Sequence, residues 1–245
     1  MLGIIEGDIR YKALANLMPS VLSSQLHDFL DIDVLLLPFG GIDEEYTIKQ
    51  TKLNLLDILK ENDIKTILVG NANNKLKEIC AERKIRLIEL LKDLRFIIPN
   101  AKLTSMGLID YLSTGDHAVS DQKICIVGFG NIGFTLAELL KSYGCSFSIY
   151  PMNEMEEKYV RLMEYPITDL KSYDILINTV PKNLDWNYEE LKLKRIIDVA
   201  SPPYGFDVFK VNEYGIRYEI VSAIPSKFAY YSAANIIKKY IEKYV

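Results

Sequence analysis

Three glycines in the second half of the chain have the spacing of a phosphate-binding turn. Gly128, Gly130 and Gly133 follow an apolar strand pattern and open a helical one. In such a turn the first glycine permits a tight bend, the second lets the backbone approach a pyrophosphate, and the third lets helix and strand pack closely. The amides at the start of the helix, those of Asn131 and Ile132, attract the anion. The pattern therefore predicts a dinucleotide-binding site of the Rossmann type.

The second strand of such a fold should carry the group that reads the adenosine ribose. In NAD-binding domains an Asp or Glu about twenty residues beyond the turn binds the 2′-hydroxyl. Here the strand predicted over 146–150 ends at Tyr150 and is followed by Pro151, Met152 and Asn153, so its tip carries no acid. Without that acid a 2′-phosphate is not repelled, and the sequence favours NADP over NAD. Tyr150 and Asn153 are the predicted contacts at this end of the cofactor.

Two loops after later strands are predicted to complete the site, at 178–181 and 198–201. Because ligands of open parallel sheets bind beyond the carboxyl ends of the strands, both loops should line the nicotinamide side. The predicted cofactor contacts there are Asn178, Thr179, Val180, Pro181 and Ala200, and the predicted catalytic residues are Thr179, Asp198 and Ser201. Ordinary turn chemistry is the alternative for Asn178 and Thr179. A buried acid that only holds its loop is the alternative for Asp198.

The elements that must position these residues alternate between strand and helix patterns. Such alternation predicts parallel sheets covered on both faces, and here two doubly wound α/β domains. We expect a flavodoxin-like α/β substrate domain over residues 1–99, with helices over 9–18, 48–60 and 76–83 and strands over 2–5, 33–37, 66–69 and 86–89.

The second domain is expected to be the Rossmann domain. Pro99 is expected to precede a connecting helix over 100–115, with its helical pattern at 101–112, and the Rossmann domain follows over 116–226. Its predicted strands are 123–127, 146–150, 174–178, 195–198 and 217–220. By analogy with two-domain dehydrogenases, a last helix over 228–244 should pack back on the first domain, which then includes residues 227–245.

Composition and charge exclude several classes of function. The chain has 245 residues, a formal net charge of −4 and charges of both signs along its length, so it lacks the basic patch of a nucleic-acid-binding protein. No apolar run approaches the roughly 18 residues that span a bilayer. The three cysteines are scattered, without the spacing of a metal site or a disulfide framework. We therefore expect a cytoplasmic protein with no metal ion, no nucleic-acid partner and no membrane partner.

Several segments together resemble the A-subunit family of dipicolinate synthase. The similarity is dense between residues 120 and 225 and sparser before them. The segments that carry it are the glycine turn IVGFGNIG at 126–133, DILINTVP at 174–181, IDVAS at 197–201, GDIR at 7–10, and Asn100, Thr104 and Gly107 in the connecting helix.

The resemblance implies an NAD(P)-dependent dehydrogenase that oxidises a dihydrodipicolinate-type ring to pyridine-2,6-dicarboxylate, a step of dipicolinic acid biosynthesis in sporulation. It also implies a partner, a flavoprotein-like B-subunit, and we expect a homo-oligomer. A dicarboxylate substrate needs cationic or N–H partners. The predicted substrate-binding residues are Arg10, Lys102, Thr104 and Ser105. For Arg10 the alternative is a charge on a surface helix.

Departures from the family pattern leave the substrate open, and two of them illustrate the point. Pro202 stands where relatives carry an arginine after the Ala-Ser pair, and Met152 replaces a basic residue at the tip of the second Rossmann strand. The alternatives are a related dehydrogenase of another small acid, or an NAD(P)-binding module without catalysis. A hydroxy-acid dehydrogenase would need a histidine as base. The two histidines, His27 and His117, lie away from the expected nicotinamide region.

Overall fold

A computed structural model describes residues 1–114, 117–168, 170 and 173–245. They form two compact units, one of Met1–Asn100 with Pro225–Val245 and one of Ala101–Ile224. The domain boundary predicted between residues 115 and 116 lies outside the described part of the chain. Within the described residues, no helix is both long enough and apolar enough to cross a membrane.

Strands and helices alternate along much of both units. In the part of the chain that the structure describes, the strands are β1 Leu2–Ile5, β2 Val21–Ser23, β3 Val34–Leu36, β4 Thr66–Val69, β5 Arg86–Glu89, β6 Ile124–Val127, β7 Phe147–Tyr150, β8 Tyr173–Asn178, β9 Leu193–Asp198 and β10 Arg217–Ile220. The helices are α1 Ile9–Ala15, α2 Leu55–Glu61, α3 Asn74–Glu82, α4 Leu94–Ser113, α5 Asn131–Ser142, α6 Glu154–Leu162, α7 Val208–Glu213, α8 Ile224–Phe228 and α9 Tyr230–Ile241.

The first unit is built on a five-stranded sheet in the order β2-β1-β3-β4-β5, in which every pair of neighbours is parallel. The order 2-1-3-4-5 is that of flavodoxin-like sheets. Strands β1, β3 and β4 are buried along their whole length, because helices cover both faces of the sheet. The short strand β2 was not predicted, since its three residues give too little pattern to separate it from a loop.

The predicted helix over 48–60 is wrong in its first half, because α2 begins only at Leu55. Asn54 is the N-cap of this helix. Its side chain accepts a hydrogen bond from the Leu56 amide, and this bond fixes the start of the helix. Before it, Tyr46 and Gln50 have positive φ angles and an isolated antiparallel bridge joins Thr47 to Asn54. The buried apolar residues that precede Asn54 therefore lie in a loop rather than in a helix.

The connecting helix is longer than predicted. Helix α4 starts at Leu94 and contains Pro99, where the sequence indicated a break before residue 100. The side chain of Asp93 accepts the amide of Arg95 and so supports the helix start. Pro99 lacks an amide hydrogen and so removes one bond, to the carbonyl of Arg95, which the packing of the rest of the helix offsets.

The C-terminal helix packs on the first unit, as predicted. Ala234, Ile237 and Ile241 of α9 are buried in one cluster with Leu2 and Leu14. The Tyr240 hydroxyl donates to Asp93 at 2.9 Å. Within the helix predicted over 228–244 the structure forms α9, which begins only at Tyr230 because Ala229, with φ and ψ of −151° and 65°, is not helical and separates α9 from α8.

The second unit has a parallel sheet in the order β10-β9-β8-β6-β7. An isolated parallel bridge from Ile149 to Ile167 adds one residue of a further strand beside β7. With that residue the order becomes 3-2-1-4-5-6, the order of dinucleotide-binding Rossmann domains. The prediction of two doubly wound parallel-sheet domains, the second of Rossmann type, is confirmed.

Strand β6 is the point at which the strand order of this sheet reverses. It pairs with β7 on one side and with β8 on the other, and Val127 lies opposite Asn178 in register. The connections that leave β6 and β8 run to opposite faces of the sheet, which opens a crevice beyond their carboxyl ends. The glycine turn and the loop after β8 both begin at this crevice.

Candidate dinucleotide site

The three glycines have the backbone geometry that their spacing predicts. Gly128 has a φ of +87°, and a Cβ at this position would lie 2.5 Å from the side chain of Val180. Gly133 packs on the backbone of Gly128, with no room for a Cβ between them. Gly130, by contrast, has no atom within 4 Å of the place a Cβ would take. The turn is thus closed at its two ends and open at its centre, as a bound pyrophosphate requires.

Helix α5 presents its amino end at the open part of the turn. Gly130 is its N-cap and supplies no capping side chain. Asn131 is exposed and Ile132 is half-buried, and the amides of this first turn have no acceptor within the helix. An anion placed over Gly130 would accept hydrogen bonds from these amides and would be attracted by the positive end of the helix dipole. The residues present therefore fit the pyrophosphate of a dinucleotide.

The loop after β8 closes over the glycine turn. The Thr179 hydroxyl donates to the Val127 carbonyl at 2.8 Å, and the Val180 side chain contacts Gly128. Asn178 is fully buried, and its amide group bonds both the amide and the carbonyl of Val180 at 3.1 Å. Pro181 is exposed beyond them. Thr179 and Val180 thus lie beside the turn, whereas the buried Asn178 side chain fixes the conformation of the loop through its hydrogen bonds to Val180.

The loop after β9 is held from inside by Asp198. This carboxylate is fully buried and accepts the Ala200 amide at 3.0 Å, the Gly205 amide at 2.9 Å and the Tyr218 hydroxyl at 3.0 Å. Ala200 is buried and Ser201 is exposed. These contacts match the alternative that the sequence left open for Asp198, an acid that positions its loop. The predicted catalytic role of Asp198 stays a prediction.

The contact with Asp198 affects the chemistry of Tyr218. Burial raises the pKa of the Tyr218 hydroxyl well above its usual value, and the charge and hydrogen bond of Asp198 raise it further. Tyr218 therefore keeps its proton at neutral pH and serves as a donor to Asp198. The hydrogen bond between Tyr218 and Asp198 therefore helps to fix the conformation of the loop after β9.

Gly205 is a site-building residue that the sequence pattern did not reveal. A Cβ at this position would collide with the Asn178 side chain, so that the loops after β8 and β9 touch only because residue 205 has none. The Gly205 carbonyl also accepts the Trp186 indole N–H at 2.9 Å. The signal was available as the Gly-Phe pair at 205–206, but its meaning depends on a contact with residue 178.

The tip of β7 carries an acid that the sequence pattern also did not reveal. Glu156, in the first turn of α6, accepts the Phe129 amide at 3.0 Å and the Met152 amide at 2.8 Å. Asn153 caps the same helix by accepting the Glu156 amide at 2.9 Å, and Tyr150 stands at the end of β7. The expected preference for NADP assumed that no acid stands at this tip, and that premise is corrected. The Asn153-x-x-Glu156 spacing, a helix-start signature, could have indicated the acid.

The two cations of α6 form ion pairs with carboxylates of the same helix. Lys158 pairs with Glu154 at 2.7 Å, and Arg161 pairs with Glu157 at 2.6 Å. Both pairs join residues four apart on one helix, the spacing at which side chains meet on a helix surface. Lys158, the nearest cation to the tip in sequence, is therefore occupied by a neighbouring carboxylate.

Arg10, the predicted substrate cation of the first unit, is in a pair of its own. Its guanidinium makes a bidentate contact with Asp8, and it stacks 4.5 Å from the ring centroid of Phe39. Only 11% of the Arg10 side chain is exposed. Arg10 is thus a rigid, partly neutralised cation near the carboxyl end of β1, rather than a surface helix charge.

The three substrate-binding residues predicted on α4 differ in their surroundings. Lys102 is exposed, Thr104 is buried, and Ser105 is fully buried. The Ser105 hydroxyl lies 2.8 Å from the hydroxyl of Thr135 on α5. Ser105 joins two helices of the second unit, and this position does not suit contact with a substrate.

The two histidines lie in different units. His27 is 75% exposed beside Asp28 in the first unit. His117 lines a surface pocket with Asp174 and Lys194, which stand at the amino ends of β8 and β9, opposite to the end that carries the turn. His117 is therefore not placed to act as a base at a nicotinamide beside the glycine turn.

The fold and the glycine turn together define the class, that of α/β proteins with a Rossmann domain whose turn fits a dinucleotide. A D-isomer specific 2-hydroxyacid dehydrogenase from Lactobacillus delbrueckii ssp. bulgaricus, solved in its NAD complex, has the same fold with a TM-score of 0.59 and 13% identity. The match covers 99% of this chain and 95% of that one.

Within that class the chain is similar to the A-subunit of dipicolinate synthase from Bacillus subtilis (strain 168). The two are 24% identical over 233 residues, which cover 88% of this chain and 78% of the relative. The crystal structure of the same dipicolinate synthase chain from Bacillus subtilis matches with a TM-score of 0.82 and 22% identity, over 99% of this chain and 94% of that one. No family model matches the sequence. The resemblance that the motifs predicted is confirmed by these comparisons.

Proposed function

We propose that the chain is an NAD(P)-dependent oxidoreductase of the dipicolinate synthase A-subunit type, which oxidises a dihydrodipicolinate-type ring to pyridine-2,6-dicarboxylate. The observation that carries the proposal is the glycine turn, closed at Gly128 and Gly133 and open at Gly130, at the switch point of the sheet. The similarity to the A-subunit of dipicolinate synthase supports the choice of reaction.

In this proposal the cofactor lies across the carboxyl ends of β6 and β8. The amides of Asn131 and Ile132 hold the pyrophosphate over Gly130, where the structure leaves open space. Thr179, Val180 and Pro181 form the neighbouring wall, and Ala200 and Ser201 face the nicotinamide end. A bound nicotinamide would accept a hydride from the substrate ring.

The proposed reaction needs little general acid or base catalysis from the protein. Oxidation removes a hydride and a proton, and the proton passes to water once the ring becomes aromatic. Because aromatisation supplies the driving force, the main tasks of the chain are to orient the ring and to exclude competing geometries. Thr179 and Ser201 are the proposed side chains near the reacting atoms. Asp198 acts through the Ala200 amide and is a positioning residue.

The proposed partners of the substrate carboxylates are Arg10 and Lys102, with Thr104 beside Lys102 on α4. The bidentate Asp8 contact holds the Arg10 guanidinium in one orientation, which favours planar recognition of a second carboxylate. Ser105 is left out because its hydroxyl is buried against Thr135. The proposal further includes a flavoprotein-like B-subunit, a homo-oligomeric assembly and a cytoplasmic location.

The assay follows pyridine dicarboxylate by its ultraviolet absorbance. A dihydrodipicolinate synthase supplies the substrate to the full chain, with each nicotinamide cofactor and with the flavoprotein-like partner present or omitted. Formation above the spontaneous rate is the expected result. Arg10→Ala should lower substrate use more than cofactor binding. Lys12→Ala is the matched control, because Lys12 is an exposed cation of the same helix that pairs with Glu6.

A second candidate is an NAD(P)-binding module without turnover. It is favoured by one observation, that the buried Asp198 carboxylate and Asn178 amide are committed to their loops. Cofactor binding without product under every condition would select it and overturn the synthase reaction. Turnover of another small acid in place of the dihydrodipicolinate-type ring would select a related dehydrogenase instead.

A further inference from the structure

We propose that Glu156 binds the ribose at the adenosine end of the cofactor and excludes a 2′-phosphate, so that this chain binds NAD(H) in preference to NADP(H). The inference rests on the proposed function, since it concerns the same dinucleotide site. It reverses the cofactor preference expected from the sequence, which assumed a tip without an acid.

The carboxylate of Glu156 is fixed beside the glycine turn. Its Oε2 accepts the Phe129 amide at 3.0 Å and the Met152 amide at 2.8 Å. Phe129 belongs to the glycine turn, and Met152 lies two residues beyond the end of β7. In this fold the adenosine ribose lies at the tip of the second strand, beside the turn. A carboxylate fixed between these two amides therefore stands where the ribose is read.

The other oxygen of this carboxylate is unused. Both amides donate to Oε2, and among the residues that the structure describes no donor contacts Oε1. A ribose 2′-hydroxyl can donate to this oxygen in a charge-assisted bond. A 2′-phosphate offers only acceptors and negative charge there, and the two charges repel each other at close range.

The neighbouring cations do not offset the charge of Glu156. Lys158 and Arg161, the two cations of α6, are paired with Glu154 and Glu157 on the same helix. Turning either cation toward a 2′-phosphate would break its existing pair. The local charge beside the glycine turn is therefore negative, which disfavours NADP(H).

The test compares ADP-ribose with 2′-phospho-ADP-ribose, two probes that lack the nicotinamide and differ only at the group in question. Binding to the full chain is measured by calorimetry and by the fluorescence of Trp186, the single tryptophan. Its ring lies 5.7 Å from that of Tyr150 at the end of β7, so a ligand at this tip should change its emission. We expect ADP-ribose to bind at least tenfold more tightly, which corresponds to about 1.4 kcal/mol.

Two variants assign the preference to one side chain. Glu156→Gln keeps the size and an oxygen for the two amides but removes the charge, and the preference should fall below about threefold, roughly 0.65 kcal/mol. Glu213→Gln removes the same charge from an exposed carboxylate at the end of α7, which plays no part in the proposed site, and should leave the preference unchanged. Circular dichroism checks that both variants keep the fold.

The outcomes separate this inference from the proposed function. Equal affinity of the wild-type chain for the two probes would overturn the inference while the dinucleotide site stands, and this measurement needs no variant. A tenfold preference that persists in Glu156→Gln would also overturn it and would leave Glu156 as a structural cap of the turn. If neither probe nor any nicotinamide cofactor binds, the proposed dinucleotide site itself fails.

Discussion

Gly133 on α5 packs directly against the carbonyl oxygen of Gly128 at the end of β6, at a separation that leaves no room for a methyl group. The contact is between backbone and backbone, so neither partner can move aside as a flexible side chain would. It fixes the start of α5 close to the sheet and thereby places the Asn131 and Ile132 amides beside the open position at Gly130.

The first prediction is that Gly133→Ala destabilises the second unit. The added methyl group forces the helix away from the Gly128 carbonyl, and overpacking of this kind costs about 1–3 kcal/mol. Urea unfolding followed by circular dichroism measures the change. Gly130→Ala, in open space and at a φ of −74°, is the control and should change the free energy of unfolding by less than about 0.5 kcal/mol. Equal stability of the two variants would contradict the packing argument.

The second prediction is that Gly130→Val removes dinucleotide binding without unfolding the chain. No atom lies within 4 Å of the Cβ position, so the fold accepts the side chain, but the valine takes the place of the pyrophosphate. We expect affinity for both nicotinamide cofactors to fall by more than a factor of about ten, or 1.4 kcal/mol. Titration monitored by Trp186 fluorescence measures it, and unchanged affinity would refute the site.

The third prediction concerns the loop after β9. Asp198→Ala leaves the amides of Ala200 and Gly205 and the Tyr218 hydroxyl without their common acceptor. Buried donors left unpaired cost about 1–3 kcal/mol each, so the variant should lose at least about 3 kcal/mol of stability. Tyr218→Phe removes one of the three bonds and should cost about 1 kcal/mol. Comparable losses in the two variants would show that Asp198 does not organise the loop.

The fourth prediction is a pH dependence carried by Glu219. Burial alone would raise the pKa of this carboxyl group, but Arg195 and Tyr111 outweigh it and hold the pKa below its usual value. A group with a lowered pKa stabilises the fold above its unfolded pKa, near 4.5, and loses this contribution as the pH falls. Glu219→Gln should therefore destabilise the chain at pH 7 and do so less at pH 4.

Unfolding in urea at the two pH values measures this difference. Glu213→Gln is the matched control, since Glu213 is an exposed carboxylate at the end of α7. It should show a small effect that changes little between pH 7 and pH 4. A Glu219→Gln effect that is constant across this range would mean that the pair with Arg195 adds nothing specific to the folded state.

Much of the fold follows from local pattern. The strands 2–5, 66–69, 86–89 and 217–220 have the predicted ends, because a short strand pattern bounded by turn residues is a local signal. The glycine turn is equally local, since its three positions lie within six residues of one another. The predicted helix over 48–60 is wrong in its first half, because the Asn54 side chain caps α2 and the residues before Asn54 lie outside the helix.

The sequence by itself determined the class of fold and the place of the glycine turn, because glycine spacing and strand periodicity act over a few residues of chain. Only the tertiary structure decided the roles of individual polar side chains. Glu156 meets the Phe129 amide 27 residues away, and the Ser105 hydroxyl is buried against Thr135, 30 residues away. Whether a polar group faces a ligand or a protein partner depends on which donors and acceptors folding brings within about 3 Å of it, and sequence spacing does not encode that distance.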